Sequence, residues 1–291
     1  GSRPRRSPGL EPDGERILTS RHMLTVQQAP RSLVIVGGGA IGVEFASLFR
    51  AYGSEVTVVE LLPRLLPAED EEISRLLQRA FEERGIRVLT GATVAGIDEG
   101  GRGQDLLVRV QTPQGEVRLA AERVLVAVGV EANTEGLGLE QLGVRTEKGF
   151  IQVDGRFATS VPGIWAIGDV IGPPFLAHVA SYEGELAAEA IRGGEVRRPA
   201  YHDMPRATYC RPQVASIGLT EGQAREQGFQ VVVGRASFRA NGRALAMGEG
   251  EGLVKVVADG RYGEVLGLHL IGPEVSEFLA EGGLMRTLEA T

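Results

Sequence analysis

The sequence has a single cysteine, Cys210, among its 291 residues. That scarcity excludes an internal disulfide and any two-cysteine chemistry within the chain, and it fits a reducing compartment. Long apolar runs are also missing: LVIVGGGAIGVEFASLF is broken by glycines and a glutamate, so no stretch reaches the ~18 residues of a membrane span. No signal-peptide pattern opens the chain. Positive charge is not in excess either, with 31 Lys+Arg against 38 Asp+Glu, a formal net charge of -7. The basic residues are scattered apart from Arg3, Arg5 and Arg6, so neither nucleic acid nor a membrane is expected as a partner. What the chain does have is core: 43% of it is apolar, and its length suits two or three domains. Its 41 glycines and 14 prolines punctuate short apolar runs, the pattern of an α/β or α+β protein with many tight turns.

The first 29 residues are rich in proline and charge, lack a sustained period, and read as a connecting segment. A nucleotide-binding domain is expected over residues 30–148. There SLVIV is a buried strand, GGGAIG a turn, residues 43–52 a helix, and EVTVVE a second buried strand. Strand, glycine turn, helix and strand make a βαβ unit, whose right-handed crossover leaves the two strands parallel. Residues 70–84 place Ile73, Leu76, Leu77, Ala80 and Phe81 at the spacing of an amphipathic helix, with acids in its first turn and Gly85 beyond its end. IRVLT follows as a strand, LLVRVQTPQGEVRLAA as a hairpin, and RVLVAVG as another buried run. Residues 149–200 contain FIQVD, the apolar run GIWAIGDV read as a strand, and a helix over residues 177–191. Residues 201–291 give VASIGLT, a helix-like EGQAREQG, VVVGRASF, the hairpin LVKVVADGRYGEVLGLHLIG, and a last helix from near Pro273.

Gly37-Gly38-Gly39-Ala40-Ile41-Gly42 fits G-x-G-x-x-G, a weak signal alone. Here a strand precedes it, a helix follows, and Glu60 closes the next strand 18 residues after Gly42. Gly37 would make the tight turn, Gly39 would admit the pyrophosphate, and Gly42 would let the helix pack close to the strand. The helix N-terminus would supply amide donors and positive dipole to the phosphates. Glu60 would accept hydrogen bonds from the adenine ribose and repel a 2′-phosphate, so NAD is expected rather than NADP. The structural alternative is a glycine turn packing an empty βαβ unit, with Glu60 on the surface.

The apolar run in GIWAIGDV stops at Gly168-Asp169, and Asp169 has no part in that fingerprint, so a second ligand is implied. At TSVPGIWAIGD the sequence resembles the two-dinucleotide flavoprotein disulfide reductases, in which an FAD domain is interrupted by an NAD(P) domain and followed by an interface domain. Within that group GGGAIGVEFASLF, VTVVELLPRLLP, AVGVEANTEGLGLEQLGV, TYCRPQVASIGLTE and GRASFRANGRALAMGE resemble the dihydrolipoamide dehydrogenase family over essentially the whole chain. The resemblance implies a Rossmann-like NAD-binding domain inserted in a partial FAD domain, then a truncated α+β interface domain. It implies FAD contacts at Gly1, Ser2, Asp169, Phe175, Leu176, Ala177 and His178. It implies NAD contacts at Gly37, Gly38, Gly39, Ile41, Gly42, Glu44, Glu60, Val94 and Gly129. Val130 departs from the arginine that many relatives carry after the same glycine.

The family oxidises the dihydrolipoyl group of an acyltransferase component in 2-oxoacid dehydrogenase complexes, passing electrons through FAD to NAD. It does so with a Cys-x4-Cys pair and a His-Pro base backed by a glutamate, as a homodimer. This chain has no cysteine pair and no His-Pro, so no catalytic residue is assigned. It also lacks the amino-terminal FAD fingerprint, so the resemblance implies a fragment that starts in mid-motif and stops inside the interface domain. Two other readings stand beside that one: a catalytically silent NAD-binding or dimerising module, and a relative such as a mercuric reductase. A bacterial cytoplasm is expected ahead of a mitochondrial matrix, and truncation is expected to leave an aggregating or loosely packed carboxyl third.

No metal site is expected, because His22, His202 and His269 lack ligand spacing and read as surface or strand residues. Cys210 reads as a packing residue and Glu183 as a solvated or capping one. Glu44 is either a first-turn acid favoured by the helix dipole or, by resemblance, a residue near the nicotinamide.

Overall fold

The computed structural model describes residues 1–99 and 104–291. It is a mixed α/β structure that divides into two compact units. The smaller comprises Gly1–Arg5 and Val130–Met204, and the larger Arg6–Gly129 and Pro205–Thr291.

In the larger unit, Ser32–Val36, Glu55–Val59 and Arg87–Leu89 lie side by side and parallel. Arg123–Val126 pairs on the other flank of Ser32–Val36, and Ile17–Leu18 adds the edge strand. Ser32–Val36 is buried along its whole length, as a central strand covered on both faces must be. The segment read as a mere connector therefore contributes a strand. Two residues are too short to show a period, so only pairing with Val124 and Leu125 reveals them. Thr93–Asp98, Leu106–Thr112 and Gly115–Ala121 form a separate antiparallel sheet, with the expected hairpin between the last two. The helices run Ala40–Ala51 and Glu71–Glu83, the second capped by the Asp70 carboxylate, which accepts from the Glu72 amide at 3.0 Å.

The rest of the larger unit is a five-stranded antiparallel sheet in the order Arg206–Thr208, Gln213–Gly218, Val265–Gly272, Leu253–Asp259, Val231–Ser237. One apolar cluster runs from Ile35, Phe49, Leu77 and Phe81 to Cys210, Val214 and Ile271, so the two sheets share a core. The last helix begins at Leu279 rather than near Pro273, because a 3₁₀ turn at Val275–Phe278 intervenes.

In the smaller unit, Ser2–Pro4 pairs antiparallel with Val130–Ala132, and Thr146–Glu147 makes a short hairpin with Phe150–Ile151. The apolar run GIWAIGDV is not a strand. It is pinned by one bridge from Trp165 to Ala158 and then enters a 3₁₀ turn at Gly168–Ile171. Glycines at both ends, Gly163 at φ 86° and Gly168 at φ 72°, break the extended path. The helix Ala177–Ile191 falls where its sequence predicts. Among the described residues, no helix is long and apolar enough to cross a membrane.

Candidate functional site

The glycine turn is built by close approach. Gly37 sits at φ 112°, and a Cβ there would collide with the carbonyl oxygen of Ala127, just past the end of the neighbouring strand Arg123–Val126. A Cβ on Gly42 would collide with the Gly37 carbonyl oxygen and lie 3.3 Å from Ile35 Cγ2. That contact is what brings the helix down onto the strand. At Gly39, the helix N-cap, a Cβ would meet nothing within 4 Å. The space above the turn is open at that residue, and the first amides of the helix have no intrahelical acceptor. The turn therefore offers donors, positive dipole and room, the combination a pyrophosphate needs.

Glu60 is buried rather than on the surface. Its Oε2 accepts from the Gly38 amide at 2.5 Å and its Oε1 from the Leu62 amide at 2.7 Å. Each carboxylate oxygen keeps a second lone pair, so acceptor capacity for a ribose hydroxyl remains. Ile41 is partly exposed on the first helical turn, Val94 is half-buried beside a bulge at Val94/Gly96, and Gly129 holds φ 105°. Glu44 is not a first-turn acid. The helix begins at Ala40, three residues before the expected start, which leaves Glu44 in the second turn, where Oε1 accepts from the Tyr209 amide at 2.8 Å.

The smaller unit gathers the other predicted set. Ser2 Oγ donates to Asp169 Oδ2 at 2.5 Å across 167 residues of sequence. Gly1 lies beside Asn133, whose amide donates to the Gly1 carbonyl at 3.0 Å. Phe175 stacks on Phe150 at 5.9 Å, Leu176 is the helix N-cap, and Ala177 and His178 open the helix.

Glu183, read from sequence as solvated or capping, is 2% exposed. Its Oε2 accepts from the Gly168 amide at 2.7 Å and its Oε1 from the Tyr201 hydroxyl at 2.5 Å. It therefore fixes the turn that carries Asp169. Arg198 completes the group: its Nε donates to Tyr201 Oη at 2.8 Å, and its guanidinium lies over the Tyr201 ring at 5.0 Å. Burial and the Glu183 hydrogen bond raise the Tyr201 hydroxyl above the usual tyrosine range. A sequence signal existed, because Val179, Glu183, Ala187 and Ala190 share the buried helix face.

Cys210 is buried, donates weakly to the Pro212 carbonyl at 3.0 Å, and has its thiol pushed up to about 12, above all by burial. Burial and the raised thiol suit a packing residue and disfavour the thiolate.

The family profile described as pyridine nucleotide-disulphide oxidoreductase matches residues 1–184, and the dimerisation-domain profile of the same group matches residues 204–291. The chain belongs to the pyridine nucleotide-disulphide oxidoreductase family. Dihydrolipoyl dehydrogenase of Rhizobium etli is 46% identical over 293 residues, covering 100% of this chain and 60% of the relative. The protein of that name from Chlorobaculum tepidum is 50% identical over 286 residues, covering 98% of this chain and 60% of the relative. Among solved structures, LpdA from Mycobacterium tuberculosis superposes with a TM-score of 0.89 at 30% identity, covering 99% of this chain and 62% of that one. The chain thus spans about 60% of the length of the curated relatives it matches.

Proposed function

We propose that this chain is the NAD-binding, partly FAD-binding and dimerising portion of a dihydrolipoyl dehydrogenase. The observation that carries the reading is the pairing of an open glycine turn with a buried acidic acceptor, Glu60, at the end of the adjacent strand. NAD would lie with its pyrophosphate over Gly39 and the amides of the first helical turn, and its adenine ribose against Glu60. Ile41, Val94 and Gly129 would line the path, and Glu44 would approach the nicotinamide while holding the Tyr209 backbone. FAD would be held by the Ser2–Asp169 pair at its ribityl chain, with the 176–178 helix start facing the ring. The acceptors and donors present fit both groups: a carboxylate and hydroxyl for sugar alcohols, backbone amides for phosphate. When bound, the flavin would supply two-electron transfer between a dithiol and the nicotinamide.

In the parent protein the substrate would be the dihydrolipoyl group of an acyltransferase component, and the product NADH. The dimer would form through the carboxyl-terminal sheet, in a cytoplasmic setting. A groove of about 580 Å³ lined by Phe238, Met247, Val254 and Phe278 supports an apolar face for a second copy there.

A second reading, a silent nucleotide-binding module, is favoured by the one cysteine being buried and protonated. The visible spectrum of the purified chain, before and after addition of FAD and desalting, separates the two. A retained flavin band, with dihydrolipoamide-dependent NADH formation, extends the enzyme reading to this chain. A colourless protein that binds NADH leaves only the nucleotide module, and one that binds neither overturns the proposal.

A further inference from the structure

The carboxyl-terminal sheet carries one polar row. Arg206 pairs across strands with Ser216, Ser216 with His269, His269 with Lys255, and Lys255 with Arg235. Residues directly opposite in a sheet project from the same face, so five strands each place a polar side chain in one line. Against that line lies the acidic segment Glu69, Asp70 and Glu72 of the nucleotide-binding half. Arg206 Nε meets Glu69 at 3.2 Å, Lys255 Nζ meets Asp70 at 2.8 Å, and Arg235 Nε meets Glu72 at 2.9 Å.

Lys255 is the centre. It is one of two lysines in the sequence, and its side chain is 3% exposed. An ammonium has three donors, and here it meets three carboxylates: Asp70, Glu221 at 2.8 Å and Glu72 at 3.1 Å. Asp70 in turn serves two helices, because its Oδ1 accepts from the Glu72 amide and its Oδ2 from the Glu221 amide at 3.2 Å.

Asp70 is also the far end of a strap that begins at Glu60 and crosses the glycine turn. Leu66 donates its amide to the Gly38 carbonyl at 2.8 Å, Ser74 Oγ donates to the Leu66 carbonyl at 3.2 Å, and Leu65 is fully buried against Gly38. Leu66 sits at φ 45°, a left-handed conformation that leucine adopts only where its surroundings hold it there. One end is held by the Glu60 carboxylate on the Gly38 and Leu62 amides, the other by Asp70.

We propose that Lys255 is a positioning residue for the nucleotide site, fixing the Asp70 end of the strap so that Leu66 and Glu60 hold the glycine turn in its binding shape. This inference rests on NAD binding at Gly37–Gly42 and goes further, assigning a role to a residue of the carboxyl-terminal sheet. Lys255 touches no nucleotide in this account and acts through Asp70.

The test uses the full chain, with NADH titrated calorimetrically and amide exchange of residues 61–74 measured without nucleotide. Lys255→Met leaves carboxylates unpaired and can unfold the unit, so Asp70→Asn with Lys255→Met is the deciding variant: asparagine still caps the helix, the most buried of the three carboxylates is neutralised, and Glu72 and Glu221 keep Arg235 and Arg225 as partners. The expected result is a dissociation constant about tenfold weaker, with faster exchange confined to the strap and a cooperative melt retained. Lys255→Arg, which keeps the charge, should restore most of the affinity. Variants that fold and bind NADH within about twofold of the parent overturn the proposal, as does loss of fold in every variant, which would make the cluster a general stability element. A parent chain that binds no NADH removes the reading of the site and this inference with it. Unchanged binding in the variants removes this inference alone.

Discussion

Replacing Gly42 by alanine sets two effects of known size against each other. Gly42 is the third residue of the helix Ala40–Ala51 and is buried. Alanine is the better helix former by about 1 kcal/mol, so propensity alone makes the variant more stable. Sterics oppose it, because the added methyl would overlap the Gly37 carbonyl oxygen and crowd Ile35 Cγ2 at 3.3 Å. The obstacle is backbone, held by the bond from the Gly37 amide to the Val59 carbonyl at 2.8 Å, so no side-chain rotation relieves it. The helix has to lift from the central strand. Overpacking of this kind costs about 1–3 kcal/mol, and a rigid backbone obstacle puts it at the upper end. The net expectation is a loss of about 2 kcal/mol, or about 4–8 °C in melting temperature for a chain of this size. Gly39→Ala is the control: its methyl meets open space, so stability should change by no more than about 1 kcal/mol, the cost of alanine at an N-cap, while NADH binding is lost. Thermal melts of both variants, paired with NADH titration, read the two effects separately. A Gly42→Ala chain that melts at or above the parent would refute the close-packing argument.

Other perturbations follow from the buried polar groups. Glu183→Ala strands the Gly168 amide and the Tyr201 hydroxyl and should cost about 2–3 kcal/mol in urea unfolding, with Glu183→Gln costing less; equal melts would show that the pair holds nothing. Cys210 should resist an aromatic disulfide reagent at about pH 8 until the protein is unfolded, because its thiol is pushed up to about 12; fast native labelling would contradict its placement. Acid should destabilise the larger unit in two stages. Burial holds His269 below the ordinary value of 6.5, so the unfolded state binds its proton first and stability falls as pH drops below about 6.5. Asp70, Glu72 and Glu221 are held below 3.8, 4.5 and 4.5 by their cationic partners, against the opposing effect of burial, so their contribution is present above those values and lost as pH falls through the lower folded ones. His269→Gln, whose amide can still donate to the Leu219 carbonyl, should flatten the first stage and leave the second; an unaltered first stage would exclude His269 as its source.

The glycine turn, the helices at residues 71–83 and 177–191, and both long hairpins are legible from sequence because each combines a period with its own stop signal. GIWAIGDV misleads because apolar composition does not separate a strand from a bridged loop, and its glycines outweigh its side chains. Glu183 and Lys255 are half-legible. Lys255 has the parity of Leu253 and Val257 and so must point inward, yet nothing local says what meets it. Its partners lie on segments far away in sequence, and only the strand register aligns Arg206, His269 and Arg235 beside it. Glu60 shows the same limit: its spacing marks it for a ribose, while its bonds to the Gly38 and Leu62 amides belong to the folded turn.

The nucleotide claim is tested most directly by titrating the chain with NADH and with NADPH under the same conditions. Saturable one-to-one binding of NADH, with NADPH weaker by about tenfold or more because the Glu60 carboxylate opposes a 2′-phosphate, is the predicted result. Absence of binding by both, or NADPH binding as tightly as NADH, would contradict it.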